Sequence, residues 1–197
     1  MTDEELVARA REGDAAAFGE LVLRHQRAVH RAALAAVGDS SHADDVAQEA
    51  FLLAYTRLRS FRGAASFKTW LLTIAWNQAI NHRRKAARWW RRVVDVADAD
   101  SGVASSVASG LSRTPETPEQ FAACEELRRA IRAQIEALPR RLRDALLLAQ
   151  SGEHSYQEIA AMLGAPIGTI KWRVSEARRV VKASLRAQGH DNAGRLE

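Results

Sequence analysis

Apolar residues recur every three to four positions along most of this 197-residue chain, a period that fits helices and leaves little room for strands. One set runs Phe18, Leu21, Val22, Val29, Ala33 and Val37, and a second runs Val46, Ala50, Phe51, Leu53, Ala54 and Leu58. Trp70, Leu71, Ile74 and Ile80 form a third, and Phe121, Leu127, Ile131 and Ile135 a fourth. Helix-start residues precede these sets. Thr2 with Glu5 fits a capping box, as does Ser155 with Glu158, and Asp14, Ser41 and Ser66 can each cap a following helix. Stop signals fall between them at Gly13-Asp14, Gly38-Asp39, Leu138-Pro139, Ser151-Gly152 and Gly164-Ala165-Pro166. The expected fold class is all-α. Helices are predicted from Ser41 to about Leu58, Ser66 to about Arg88, Glu119 to Ala137, Arg140 to Gln150 and Gly168 to Ala187.

Residues 95 to 118 interrupt the pattern. Small residues, Ser, Gly and the prolines Pro115 and Pro118 follow one another without periodicity, which reads as a flexible linker. The expected organisation is a helical domain over 1–94, a linker over 95–118, a second helical domain over 119–187 and a tail over 188–197. A hydrophobic fraction of 47% is enough for two real cores. No apolar run approaches the ~18 residues of a membrane span, so no membrane insertion is expected. The acidic start Met1-Thr2-Asp3-Glu4-Glu5 lacks a signal-peptide pattern, and a cytoplasmic protein is expected. The single Cys124 has no partner for a disulfide or a structural zinc and reads as a small core residue.

The net charge of +5 hides a division. Residues 57 to 94 hold ten Lys or Arg and no acid, whereas residues 1 to 56 hold five Arg and ten acids. One surface is therefore suited to anions and another to a basic partner. Asp44, Asp45, Gln48 and Glu49 occupy successive turns of one helix, next to Phe51. Like charges at i,i+4 cost helix stability, so an external cation would complement them. Taken alone, such a face is more often merely solvated. Further on, Phe61, Arg62, Ser66, Phe67, Lys68 and Trp70 bring rings and cations together, and Asn77, Asn81, Arg83, Arg84 and Lys85 follow. Phe67, Trp70, Trp76 and the Trp89-Trp90 pair cannot all face inward on one narrow stripe. Phe61, Phe67 and at least one tryptophan are therefore expected at the surface, where rings can stack bases while cations hold phosphates. Packing on the linker or the second domain is the other use for such rings.

The second domain carries a compact motif. Ser155-Tyr156-Gln157-Glu158 opens a helix with Ile159, Ala160, Met162 and Leu163, Gly164 turns the chain, and a longer helix follows. Its apolar stripe is Ile170, Val174, Ala177, Val181 and Leu185. Lys171, Ser175, Arg178, Arg179, Lys182 and Arg186 lie along an adjacent face, with Trp172 and Arg173 further round. Helix, glycine turn and basic helix form a helix-turn-helix signature whose second helix can enter a major groove. Lys171, Arg173 and the Thr169 side chain are then available to base edges or phosphates.

Taken together these segments resemble the sigma factors of bacterial RNA polymerase, specifically the small extracytoplasmic-function (ECF) group of the sigma-70 family. The residues that carry the resemblance are Asp44-Asp-Val-Ala-Gln-Glu-Ala-Phe51, Phe61-Arg-Gly, Ser66-Phe-Lys-Thr-Trp-Leu-Leu-Thr-Ile-Ala-Trp-Asn77 and Asn81-His-Arg-Arg-Lys85. In the second domain they are Leu138-Pro139, Tyr156-Gln-Glu-Ile-Ala160 and Gly168-Thr-Ile-Lys-Trp-Arg173. The match covers about residues 3–92 and 119–187, in the family's order.

The resemblance implies core RNA polymerase (its β′ clamp and β subunits), promoter DNA and an anti-sigma factor as partners. It implies that Asp44, Asp45, Gln48, Glu49 and Phe51 dock on the clamp helices of β′. Phe61, Arg62, Ser66, Phe67, Lys68 and Trp70 would capture a flipped base of the −10 element. Asn77 and Asn81 would read the melted strand, and Arg83, Arg84 and Lys85 would hold its backbone. Ser155, Tyr156, Thr169, Lys171, Trp172, Arg173, Ser175, Arg178 and Arg179 would meet the −35 duplex. Trp172 departs from the small residue, such as Ser, usual at that place in the family. The Trp89-Trp90 pair is unusual too.

No glycine-rich nucleotide loop, metal cluster or nucleophile constellation is present in the sequence, so neither an enzyme nor a cofactor is expected. The competing reading is a stand-alone helix-turn-helix regulator with a helical sensor domain, for which the acidic helix and the basic-aromatic block are not required. A nucleic-acid enzyme would need clustered carboxylates for metal-assisted phosphoryl chemistry, and none is evident.

Overall fold

The computed structural model describes residues 1–93, 118–152 and 154–189, and for 87–93 and 118–123 it describes the backbone alone. Most of the expected linker, the tail from residue 190 and the side chains of Trp89 and Trp90 lie outside the described residues. The described elements are α1 (Asp3–Arg11), α2 (Ala15–Val37), α3 (Ser40–Arg57), a 3-10 turn at Leu58–Ser60, α4 (Phe67–Val93), α5 (Pro118–Ala137), α6 (Arg140–Gln150), α7 (Tyr156–Leu163) and α8 (Ile167–Ala187). Among the described residues there is no strand.

The caps set these boundaries. Thr2 Oγ1 accepts from Glu5 N while Glu5 Oε2 accepts from Thr2 N, closing the expected box. Asp14 Oδ1 accepts from Ala17 N, and that backbone bond, reinforced by Arg9, holds its carboxyl below the usual range. Ser66 Oγ accepts from Thr69 N at the start of α4. One cap differs from expectation: α3 is capped by Asp39, not by Ser41. Asp39 Oδ1 accepts from His42 N at 3.0 Å, and Ser41 Oγ donates to the same oxygen. A carboxylate is the stronger acceptor for the unpaired amides of a first turn. Asp39→Ala is therefore expected to lower the thermal midpoint of the chain, and Ser41→Ala to leave it nearly unchanged, as differential scanning calorimetry would read. At the other end, α4 runs five residues beyond the Arg88 stop expected for it, to Val93.

Helices α1–α4 form one bundle and α5–α8 another. Leu6, Leu21, Val29, Val46, Leu71 and Leu72 are fully buried in the first, and Leu148, Ile159, Ile170, Val174 and Leu185 in the second. The two bundles touch: α4 packs on α7 and α2 on α6, and the buried apolar residues form one continuous cluster. Arg11 ties α1 to the loop after α3, donating to Leu58 O and to Phe61 O.

Candidate nucleic-acid interface

Helix α3 turns Ala43, Val46, Ala50 and Ala54 inward, which leaves Asp44, Asp45, Gln48 and Glu49 exposed on its outer side. Two of these carboxylates have modest internal partners. Asp44 Oδ1 stands 3.1 Å from His30 Nε2, and Gln78 Nε2 donates to Glu49 Oε2 at 3.5 Å. Phe51 is half-buried and packs on the core. Leu52 was not singled out in the sequence, yet it is 67% exposed. It stands seven residues after Asp45 and three after Glu49, so all three share one helix face. The spacing alone puts it there, although nothing in its apolar type marks it as exposed.

The loop after α3 and the start of α4 build an aromatic cluster. The Phe61 ring lies 5.1 Å from Trp70 and 5.9 Å from Phe67, and Phe67 lies 5.9 Å from Trp70 and 5.7 Å from His25. The Arg11 guanidinium stands over the Phe61 ring at 5.7 Å. The expectation that Phe67 is exposed is corrected: it is only 3% exposed. As the first residue of α4 it turns under the cluster, so it supports the Phe61 and Trp70 rings rather than meeting solvent. Phe61 and Trp70 are half-buried, while Arg62 and Ser66 are exposed. Trp76 is 2% exposed and belongs to the core.

Beyond the cluster, α4 buries Leu71, Leu72, Ala75, Trp76, Ala79 and Ile80. Its opposite face carries Asn77, Asn81, Arg84 and Lys85, all exposed. Residues 70, 77, 81 and 84 fall within one narrow angular sector of a helix, a stripe about 21 Å long. A flat ring, two amides and a cation thus line up in one direction. Lys68 and Arg83 differ from the rest. Lys68 Nζ pairs with Glu158 Oε1 at 2.9 Å, and Arg83 Nη2 stands 3.6 Å from Asp144 Oδ1. Burial pushes the Arg83 guanidinium below its ordinary range, with Arg143 adding to the effect and Asp144 opposing it.

In the second bundle Ser155 Oγ accepts from Glu158 N, and Glu158 Oε2 accepts from Ser155 N, so the expected capping box is formed. The Ser155 hydroxyl also donates to Glu158 Oε2 and is thus occupied in capping. Tyr156 is half-buried against the core. Gly164 ends α7 at φ 58°, a left-handed conformation that glycine adopts without strain. Helix α8 buries Ile170, Val174, Ala177, Val181 and Leu185, the stripe expected from its spacing. Lys171, Trp172, Ser175 and Arg179 are exposed, and Thr169, Arg173 and Arg178 are half-buried. The Trp172 indole is 62% exposed, an unusual position for so large an apolar ring. Arg179 is forked onto Glu176 at 2.7 and 2.8 Å, so its charge is partly spoken for.

Known families and proteins match these two bundles. The family description Sigma-70 region 2 matches residues 21–89, and Sigma-70 region 4 matches residues 128–180. The ECF RNA polymerase sigma-E factor of Escherichia coli (strain K12) is 37% identical over 182 residues, 92% of this chain and 93% of that protein. The RNA polymerase sigma-H factor of Pseudomonas aeruginosa is 35% identical over 188 residues, 93% of either chain. Among solved structures, CnrH in complex with the cytosolic domain of CnrY aligns with a TM-score of 0.61 at 26% identity, over 94% of this chain and 97% of that one. The sigma factor RpoE of Bartonella quintana, solved with the anti-sigma factor NepR, aligns with a TM-score of 0.58 at 24% identity, over 86% and 96%, a likeness of fold. Two sigma regions in order, the first bearing an acidic and an aromatic face that a sensor domain would not need, disfavour the stand-alone regulator. The chain belongs to the extracytoplasmic-function sigma factors of the sigma-70 family, which direct transcription initiation by RNA polymerase.

Proposed function

We propose that each exposed face has one task in initiation. The Asp45, Gln48 and Glu49 face of α3, with Asp44 and Phe51 at its margin, docks on the β′ clamp of core polymerase, and the second domain reaches the β subunit. The Phe61–Trp70 pocket takes a flipped −10 base. Flipping costs a few kcal/mol of unstacking, which ring contacts can offset. Asn77 and Asn81 then read bases on the melted strand, and Arg62, Lys68, Arg83, Arg84 and Lys85 hold its phosphates. The N-terminal half of α8 enters the −35 major groove. There Lys171, Arg173, Arg178 and Arg179 meet phosphates or guanine, and Thr169, Trp172 and Ser175 meet base edges. Ser155 and Tyr156 lie beside the groove. Binding of melted bases shifts the promoter toward its open form, and bond formation is left to the polymerase. The domain limits 1–94 and 119–187 and a cytoplasmic location belong to the same reading. No helix among the described residues is long and apolar enough to cross a membrane.

The observation that carries this reading is the stripe on α4: Trp70, Asn77, Asn81 and Arg84 on one side, with a buried face behind it that fixes their direction. The inhibitor implied by the family is an anti-sigma factor. The similar protein CnrH was itself solved with a protein partner, the cytosolic domain of CnrY. The test is transcription by purified core polymerase with and without this chain on a library of promoter fragments. Initiation at a shared pair of sequences, dependent on the added chain, is expected. Absence of both initiation and core binding would sink the reading.

Trp172 yields a sharper expectation. An exposed indole near the start of a groove-reading helix offers apolar contact to a thymine methyl. Trp172→Ala should relax base preference at one or two −35 positions, at about 1–3 kcal/mol per lost base contact. Arg173→Ala should weaken −35-dependent transcription more than core binding. Selection from a randomised −35 library reads both. An unchanged consensus for Trp172→Ala would assign the ring to something other than DNA.

A further inference from the structure

Helix α1 lies ahead of the matched region 2, which begins at residue 21, and carries none of the residues assigned to polymerase or DNA. Its buried side is Leu6, Val7 and Ala10, and it packs on α2, on the 3-10 turn and on α4. Its last residue, Arg11, is exposed, and an arginine there ordinarily serves the carbonyls of its own last turn. Arg11 reaches elsewhere. Nε donates to Leu58 O at 3.2 Å and Nη2 to Phe61 O, acceptors 47 and 50 residues further along the chain. The same guanidinium lies over the Phe61 ring, 5.7 Å from its centroid.

One side chain therefore grips the point where the chain leaves the 3-10 turn. Phe61 closes that turn, its own N–H bonded to Leu58 O, and from there the backbone runs into the exposed stretch 62–66. Two carbonyls three residues apart need donors at a fixed spacing, which the planar guanidinium fork supplies and a point-like ammonium does not. With the backbone held at Leu58 and Phe61 and a cation over one face, the Phe61 ring keeps its tilt against Trp70 at 5.1 Å and its edge contact with Phe67 at 5.9 Å. The start of α1 braces the other side of the same cluster. Asp3 Oδ2 lies 2.7 Å from His25 Nε2, Arg24 holds Asp3 Oδ1 at 3.2 Å, and the His25 ring packs 5.7 Å from Phe67. Asp3 and Arg11 stand about 12 Å apart along the helix, so α1 spans the cluster as a strut.

We propose that Arg11 is a positioning residue of the −10 pocket: its fork on Leu58 O and Phe61 O, with its cation over the ring, fixes Phe61 in the pose that receives a flipped base. This rests on the reading of the Phe61–Trp70 pocket as the base-capture site. Flipping has an unstacking cost that ring contacts offset only when the ring stands in the right place, so a ring free to swing recovers less of it. Arg11 orders the ring before the promoter arrives, and less ordering is left to the moment of capture. Its loss therefore acts on promoter opening and leaves the earlier steps, polymerase docking and duplex binding, as they were.

The test uses holoenzyme assembled from core polymerase and the full chain, with opening read by stopped-flow fluorescence of a dye on the non-template strand. An abasic site is walked through the −10 element to find the position where the unmodified holoenzyme loses most of its opening rate. Arg11→Met keeps the stem and removes the charge and the donors. It is expected to open the intact promoter about tenfold more slowly, the scale for losing two partly exposed hydrogen bonds and a cation–π contact. Core affinity, duplex binding and helical circular dichroism should not change. On the template abasic at the captured position it should match the unmodified chain, because there is no base to receive. Arg11→Lys should recover part of the rate. Arg9→Ala, which breaks the surface pair with Asp14 on the same helix, should lose none. Arg11→Met added to Phe61→Leu should cost little beyond Phe61→Leu alone, as coupled residues do. Equal losses on intact and abasic templates would overturn the proposal, as would additive losses in the double variant, full activity of Arg11→Lys or an unchanged rate for Arg11→Met. Failure of the pocket reading is separable: no −10 position would then respond to base removal in the unmodified holoenzyme, and Arg11 would lose its role with the pocket.

Discussion

Phe67→Ala is expected to destabilise the first domain by about 3–5 kcal/mol, the range for removing a buried phenyl ring. Phe67 is 3% exposed and touches Phe61, Trp70 and His25. Removing it leaves a cavity under the very rings proposed to capture a flipped base. Urea unfolding followed by circular dichroism would read the loss. Promoter opening should then fall equally on duplex and on pre-melted templates, because the pocket itself is deformed. Trp70→Ala supplies the contrast. Its ring is half-exposed at the rim, so it should cost less stability and slow opening more on duplex than on pre-melted DNA. If Phe67→Ala left stability unchanged and slowed only duplex opening, the Phe67 ring would have to face the DNA after all.

That pair of outcomes marks where sequence reasoning stopped. The α8 stripe of Ile170, Val174, Ala177, Val181 and Leu185 was legible because a narrow apolar arc on a charged helix has only one way to point. The capping boxes at Thr2 and Ser155 were legible because their chemistry is local, spanning three residues. The aromatic block was harder. Counting rings showed that not all could be buried, but the choice between Phe67 and its neighbours depends on the loop at 61–66 and on His25 of α2, which no local pattern encodes. The α3 cap failed for a smaller reason: Asp39 and Ser41 are both good caps two residues apart, and a carboxylate wins. Leu52 shares a helix face with Asp45 and Glu49, but an apolar residue beside acids is not in itself a sign of a contact surface. The Lys68–Glu158 contact joins residues far apart in the chain, and charge patterning predicts that such faces attract without saying which residues meet.

The double variant Asp45→Ala, Glu49→Ala is expected to lose core-polymerase binding while the chain stays folded. Both side chains are exposed on α3 and contribute nothing to its buried face of Ala43, Val46, Ala50 and Ala54. Removing two like charges at i,i+4 relieves repulsion within the helix, and alanine is the better helix former, so the helical signal should hold. Binding is another matter. A desolvated interface charge truncated to Ala leaves its basic partner unpaired, and losses of about 2 kcal/mol or more are usual, roughly thirtyfold in affinity. Fluorescence anisotropy of the labelled chain against core polymerase would measure it, with a salt series to expose the electrostatic part. Leu52→Ala, on the same face and 67% exposed, should weaken binding without changing the salt dependence, because its contribution is apolar burial. Asp44→Ala should cost less than Asp45→Ala, since its carboxylate is already 3.1 Å from His30. Unchanged affinity in the double variant would remove α3 from the polymerase interface and return its acids to a solvated face. Equal losses for Asp44 and Asp45 would mean that His30 yields its partner when the polymerase arrives.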